Sequence, residues 1–197
     1  MLNKTILDCN CPETISTLRD LICNEIYPAI KRNKEIIIIC IGSDRSTGDS
    51  LGPLVGEKLK FLIREKVKLY GNLENPVHAK NLSNVISEID SKYNNPYIIA
   101  IDACLGNIQN IGKIIIDCKP IFPGSAVNKN LPPVGDLSIT GIVNMSGALE
   151  FMVLQNTRLY TVMTLAEYIS KGIYHSIIKT FGGKHNNYYS KKEVKNI

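Results

Sequence analysis

The feature that most constrains the fold is the run Glu35 to Ile41 (EIIIICI), which is apolar and mostly β-branched after its first residue. β-branched side chains favour extended backbone, and a run without polar alternation leaves no face for solvent. Such a run is typical of a parallel strand covered by helices on both faces. Tyr97 to Ile101 (YIIAI) has the same character, so the sequence predicts two central strands.

Helical and strand-like segments alternate along the rest of the chain. This alternation predicts βα units, and therefore an α/β protein built as a three-layer α/β/α sandwich around a mostly parallel, mixed sheet. The predicted helices cover residues 13–31, Pro53 to Ile63, 79–92, 147–156 and 164–181. The further predicted strands cover residues 67–70, 113–118, 138–143 and 158–162, and a long loop covers residues 119–136.

Carboxylates follow both central strands, at the position where open α/β sheets bind ligands. The first strand runs into the polar loop Gly42 to Gly52 (GSDRSTGDSLG), which contains Asp49, and the second runs into Asp102. Two neighbouring carboxyl groups do not both ionise at low cost, so one pKa rises and the other falls. Such a pair activates water against a carbonyl, or holds a metal ion that does so. Asp49 and Asp102 are therefore the candidate catalytic residues.

Two structural roles compete with this interpretation. Asp49 is also suited to cap the helix that enters at Pro53, and Asp102 to end its strand in an Asx-turn. A nucleotide site is less favoured, because the loop lacks both G-x-G-x-x-G and G-x-x-x-x-G-K-[ST]. Its two aspartates, Asp44 and Asp49, would also repel phosphate in the absence of a metal.

Composition narrows the class of protein. The 197 residues, 44% hydrophobic and 21% charged, suit one globular domain. We expect that domain over residues 1–182, followed by a flexible basic tail over residues 183–197. The tail carries +3 of the formal net charge of +5, so the body is nearly neutral and no nucleic-acid partner is expected.

Neither a membrane segment nor a cysteine-based metal site is indicated. The first residues lack the pattern of a signal peptide, and no run approaches the roughly 20 apolar residues that span a bilayer. We therefore expect a cytoplasmic protein with no membrane partner, whose six cysteines stay reduced. The pair Cys9 and Cys11 has no further ligands at metal-binding spacing.

Six segments, in order, resemble motifs of the YyaC-type sporulation proteins, sometimes called spore proteases. They are residues 41–53 (IGSDRSTGDSLGP), 71–79 (GNLENPVHA), 100–106 (AIDACLG), 123–129 (PGSAVNK), 134–144 (VGDLSITGIVN) and 154–159 (LQNTRL). The resemblance spans about residues 30–180. It implies a phosphorylase/hydrolase-like fold, the interior of a sporulating cell or spore as location, and a protein or peptide as substrate.

A more distant likeness suggests the mechanism. Germination proteases, which degrade small acid-soluble spore proteins, carry a similar T-x-D-x-L-G-P element, a strand ending in I-D-A, and a P-G-S-rich loop followed by Lys. Their two catalytic aspartates would fall on Asp49 and Asp102. The metal-contacting acids of hydrogenase maturation endopeptidases would fall there too, but that pattern includes a later His, and only His175 and His185 follow Asp102. We expect no cofactor, with a divalent metal at the pair as the less favoured alternative.

Four further residues are candidates for supporting roles. His78, at the end of a predicted strand, would tune the acids or replace a missing ligand, and Lys129 in the long loop would stabilise a developing oxyanion. Asp44 and Asp136 are loop acids with weaker claims, and Asp136 has the alternative of bracing its loop through turn hydrogen bonds. A solvated lysine and a structural histidine are the competing interpretations for Lys129 and His78.

The sequence thus predicts an endopeptidase-like hydrolase of the germination-protease type, in which paired aspartates activate water against a protein substrate. Two alternatives stay open. One is a non-catalytic sporulation protein with a binding or regulatory role that keeps the protease fold, and the other is a metal-dependent hydrolase. The sequence leaves room for a homo-oligomer.

Overall fold

The computed structural model describes residues 2, 4–62, 65–123 and 132–182. A six-stranded sheet with the order β1-β5-β6-β4-β2-β3 runs through them. The strands are β1 (Thr5–Asp8), β2 (Ile36–Cys40), β3 (Val67–Tyr70), β4 (Tyr97–Gly106), β5 (Lys113–Asp117) and β6 (Leu137–Met145). The α-helices in these ranges are α1 (Thr14–Lys31), α2 (Leu51–Leu59), α3 (Leu82–Lys92), α4 (Glu150–Gln155) and α5 (Leu159–Phe181).

The sheet is mostly parallel. Strands β3, β2, β4 and β6 run in the same direction, whereas β5 is antiparallel to β6 and β1 is antiparallel to β5. The chain leaves β2 for β3 on one side and then returns to β4 on the other side of β2. This reversal opens a crevice between the carboxyl ends of β2 and β4, where open α/β sheets bind ligands. The predicted α/β class with a mixed sheet is confirmed.

Helices cover both faces of the sheet, which gives the three predicted layers. On one face α1, α2 and α5 share a core with Ile36 and Ile38, and on the other face α3 packs through Leu82 and Ile89 onto Ile37. Every residue of β2 is buried, because alternate side chains of a strand enter opposite cores. This burial on both faces explains why the run that predicted a central strand contains no polar residue after its first residue.

The predicted strand over residues 158–162 is wrong, because helix α5 begins at Leu159. Val162 lies on the same face as Leu165, Ala166 and Ile169, and all four are buried. The apolar residues that suggested a strand therefore belong to a helical stripe, since that spacing repeats every three to four residues.

Other elements differ from their predicted bounds. Strand β4 does not end before Asp102 but continues to Gly106, because β6 pairs with it from Ile99 to Gly106. The predicted helices 79–92 and 147–156 are shorter, and β1 was missed. As an edge strand held by antiparallel pairing to β5, β1 lacks a long apolar run.

Two further predictions concern the whole chain. Within the described ranges, no helix combines the length and apolar character needed to cross a membrane. All six cysteines are free thiols; Cys9, Cys23 and Cys40 are buried and Cys11 is exposed. The predicted basic tail, residues 183–197, lies outside the described residues.

Candidate functional site

Asp49 lies in a loop that folds back over the carboxyl end of β2. The backbone N–H of Ser43 donates to the carbonyl oxygen of Asp49 at 3.0 Å, which closes the loop. Gly42 makes this possible: its φ is +143°, and a Cβ there would overlap the same carbonyl oxygen. The chain then forms a 3-10 turn, Gly48–Ser50, and enters α2. Asp49 is therefore held at the crevice by backbone contacts.

The alternative helix-capping role of Asp49 is not observed. Ser50 occupies the N-cap of α2, and its hydroxyl donates to the carbonyl oxygen of Thr47 at 2.7 Å. Asp49 precedes the cap, inside the 3-10 turn. Its carboxyl group is therefore not used to satisfy the first N–H groups of α2.

Asp102 lies within β4, one residue beyond Ile101, which pairs with the last residue of β2. On its other side it pairs with Thr140 of β6. Its Oδ1 accepts a hydrogen bond of 2.8 Å from the backbone N–H of Ala103. Because β4 continues beyond this point, the bond does not end the strand, which removes the predicted alternative role.

The two carboxyl groups are electrostatically coupled. Burial raises the pKa of Asp102 well above its ordinary value, and the charge of Asp49 raises that pKa further. Burial also raises the pKa of Asp49, but the backbone N–H of Ser43 and the charge of His78 oppose this shift. Asp49 therefore ionises first, while Asp102 is still protonated. The charge of Asp49 consequently acts on Asp102, and not the reverse. Both residues keep some accessible surface.

His78 is brought to the same edge by the backbone of Val77. Ile41 forms an isolated parallel bridge with Val77, and the N–H of Gly42 donates to the Val77 carbonyl oxygen at 2.8 Å. The Nδ1 atom of His78 accepts from the N–H of Lys80 at 3.3 Å, which orients the ring. The structure thus assembles Asp49, Asp102 and His78 at one end of the sheet.

Sequence reasoning missed Asn81, which positions His78. The side-chain oxygen of Asn81 accepts from the backbone N–H of His78 at 2.8 Å, and its Nδ2 donates to the carbonyl oxygen of Pro76 at 3.0 Å. Asn81 is the residue immediately before α3. An Asn just before a helical pattern was the available signal.

Asp136, another predicted supporting residue, is not brought to the acid pair. Asp136 lies at the opposite edge of the sheet, because it precedes β6, which is parallel to β4. Its Oδ2 accepts from the N–H of Ile98 at 2.8 Å, which braces the start of β4. Asp44 is an exposed loop residue, and Lys129 lies outside the described residues.

The residues that the structure describes include no group of three or more His, Cys, Asp or Glu side chains placed to hold one metal ion. Asp49, Asp102 and His78 therefore interact through charge without forming such a group. The chemistry that this arrangement supplies directly is that of one ionised and one protonated carboxyl group.

The raised pKa of Asp102 predicts a pH-dependent stability difference between the wild type and Asp102→Asn. A folded pKa above the ordinary value of about 3.9 means that the native state binds more protons than the unfolded state. Wild-type stability therefore falls as pH rises from about 4 through the folded pKa, whereas Asn lacks this loss and keeps an oxygen for the Ala103 N–H. We expect the variant to be more stable at pH 7, with the difference shrinking towards pH 4. Urea unfolding across this range measures it, and a difference independent of pH contradicts it.

Fold and site together define an open α/β domain with a coupled carboxyl pair at the point where strand order reverses. Residues 6–172 match the family described as "Protein of unknown function (DUF1256)", and the chain belongs to this family. It is 51% identical over 140 residues to "Uncharacterized protein YyaC" of Bacillus subtilis (strain 168), an alignment covering 71% of this chain and 68% of that protein.

One solved structure shows a weaker similarity. It is a NiFe hydrogenase maturation protease, HycI, from Thermococcus kodakarensis KOD1, with a TM-score of 0.40 and 23% sequence identity over 71% of this chain and 92% of that chain. A likeness this remote does not bear on the activity of this chain. The family match, in contrast, confirms the resemblance to YyaC that the six sequence segments indicated.

Proposed function

We propose that this chain is an endopeptidase-like hydrolase that cleaves a protein substrate in sporulation or spore germination. The observation that carries the proposal is that the loop after β2 and the end of its pairing with β4 place Asp49 and Asp102 at one crevice, where the charge of Asp49 raises the pKa of Asp102. A carboxylate beside a carboxylic acid supplies a base and an acid at the same pH. The distant likeness to germination proteases, at the same two aspartates, supports the reaction class, and the likeness to YyaC-type proteins supports the biological setting.

In the proposed mechanism Asp49 is the base and Asp102 the acid, because the pKa of Asp102 is raised well above its ordinary value and further by the charge of Asp49. Asp49, as carboxylate, takes a proton from water while the water oxygen bonds to the peptide carbonyl carbon. Asp102, as carboxylic acid, donates its proton to the carbonyl oxygen, which yields a tetrahedral diol. Asp49 then donates its proton to the leaving nitrogen as the C–N bond breaks, and Asp102 recovers a proton from one diol hydroxyl as the carbonyl re-forms. Both carboxyl groups return to their starting states.

Two neighbouring groups position Asp49 for the role of base. The Ser43 N–H and the charge of His78 both lower the pKa of Asp49, so they partly offset the effect of burial and favour the ionised form. At Asp102 the Ala103 N–H opposes the effect of burial, whereas the charge of Asp49 adds to it. This asymmetry lets two residues of the same type perform opposite roles.

The proposal is tested by incubating the purified protein with a spore-protein extract and mapping new peptide ends by mass spectrometry. We expect new ends with the wild type and none with Asp49→Asn or Asp102→Asn, in the presence or absence of a chelator. Cleavage that is lost on chelation and restored by a divalent ion would support the metal-dependent alternative. Absence of new ends, together with normal sporulation of a strain carrying both substitutions, would support the non-catalytic alternative.

A further inference from the structure

A pocket of about 460 Å³ lies between the carboxyl end of β3, the segment that follows it, and α3. Val77 in its lining accepts a hydrogen bond from the N–H of Gly42, which begins the loop that carries Asp49. His78 lines this pocket and also acts by its charge on Asp49. The pocket is therefore linked to the proposed catalytic base through one residue. Its volume falls within the range of small-molecule sites and is large enough for a long side chain.

The wall of the pocket is held by its own hydrogen bonds. The side-chain oxygen of Asn72 accepts from the N–H of Asn75 at 2.7 Å, and the N–H of Asn72 donates to the carbonyl oxygen of Asn75 at 3.3 Å. Asn81 ties Pro76 and His78 together at the other end. These bonds lie within the chain itself and fix the backbone around the pocket, which lowers the cost of ordering it on binding.

The lining contains two titratable side chains that bear on charge recognition, Glu74 and His78. Glu74 is its only carboxylate, and the lining contains no Lys or Arg. Glu74 is exposed, and in the described part of the chain no ion pair or hydrogen bond to its carboxylate is found. Lys60 is paired with Glu57, which is the main cause of its raised pKa, and the charge of Glu74 adds only the smallest contribution. The carboxylate of Glu74 is therefore available to an incoming cation.

We infer that this pocket is a specificity subsite for a lysine or arginine side chain of the protein substrate, with Glu74 as its charge partner. The inference rests on the proposed function, since the pocket gains this meaning from its link to Asp49 through His78. A substrate that crosses His78 would place one side chain in the pocket and the neighbouring peptide bond towards the acids. A charge-assisted contact with Glu74 would fix the register of that bond.

Binding is tested separately from cleavage, with Nα-acetyl-arginine methylamide and its lysine and norleucine counterparts as probes. Titration of the full chain, followed by amide NMR shifts of residues 71–81, is expected to saturate with the arginine and lysine probes only. Glu74→Gln is expected to weaken binding about tenfold, the loss typical of a charged hydrogen bond. Glu65→Gln removes an exposed carboxylate outside the pocket, and we expect it to leave binding unchanged.

Cleavage provides the second measurement. If the wild type produces new peptide ends, we expect lysine or arginine to be enriched at one fixed position. Glu74→Gln is expected to lose that enrichment, because kcat/KM falls at the sites that carry lysine or arginine. Cleavage without such enrichment, or equal binding of the norleucine probe, overturns the subsite and leaves the hydrolase proposal intact. Selective binding without any cleavage supports the pocket and contradicts the hydrolase.

Discussion

Changing Asp102 to Asn is expected to lower kcat by about 10²- to 10⁴-fold, the range typical of a lost general acid or base, with KM changed only slightly. Asn has nearly the same shape and keeps an oxygen for the Ala103 N–H, so the fold is retained. It has no proton of suitable acidity to give to the carbonyl oxygen. The loss should therefore appear in the chemical step, measured as kcat on a peptide taken from a mapped cleavage site.

The pH profile distinguishes this role from a merely structural one. With Asp49 as base and Asp102 as acid, wild-type activity requires the pair to carry a single proton and is therefore bell-shaped in pH. Because burial raises both pKa values, the optimum lies above the ordinary range of aspartate. Asp102→Asn should remove the alkaline limb. Asp90→Asn, an exposed substitution on α3, serves as the control, and an equal loss there, or an unchanged alkaline limb, contradicts the assignment.

Changing Gly56 to Ala is expected to destabilise the fold by about 3 kcal/mol, the upper part of the usual range for overpacking. A Cβ at this position of α2 would overlap the carbonyl oxygen of Gly71, which belongs to the segment leading to His78. Gly71 itself lies at φ +88° and packs its Cα against the carbonyl oxygen of Cys40. Helix α2, the segment at Gly71 and strand β2 therefore contact one another through backbone atoms, so none of them can shift without displacing the others. Urea unfolding gives the change in free energy.

The control for this prediction is Gly147→Ala, where an added Cβ meets nothing within 4 Å. Ala is a better helix former than Gly by about 1 kcal/mol, so propensity alone would make Gly56→Ala stabilising. A neutral or stabilising effect at Gly56 would show that the close approach of α2 to Gly71 is not maintained in solution.

The burial of Asp102 has two consequences: it lowers the stability of the native state at neutral pH, and it supports the proposed activity of the acid pair. Removing Asp102 from water makes its ionised form costly, which weakens the native state at neutral pH. That cost also keeps a proton available to a substrate carbonyl at a pH where a solvated aspartate has already lost it. Stabilisation by Asp102→Asn together with loss of activity is therefore the expected combination.

Local pattern was sufficient to predict the fold class. The run in β2 required burial on both faces, and alternating helical and strand-like periods required parallel strands with covering helices. The position of two acids just after strands then placed Asp49 and Asp102 at one edge of any such sheet. These conclusions depend on periodicity and chain direction, which a sequence carries explicitly.

The tertiary structure alone decided which residues meet. The approach of His78 to Asp49 depends on a bridge between Ile41 and Val77. Asp136 lies at the far edge of the sheet because β6, which it precedes, runs parallel to β4. The raised pKa values likewise arise from burial by residues distant in sequence. Contacts and desolvation are set by strand order and packing, and no local window of sequence encodes them.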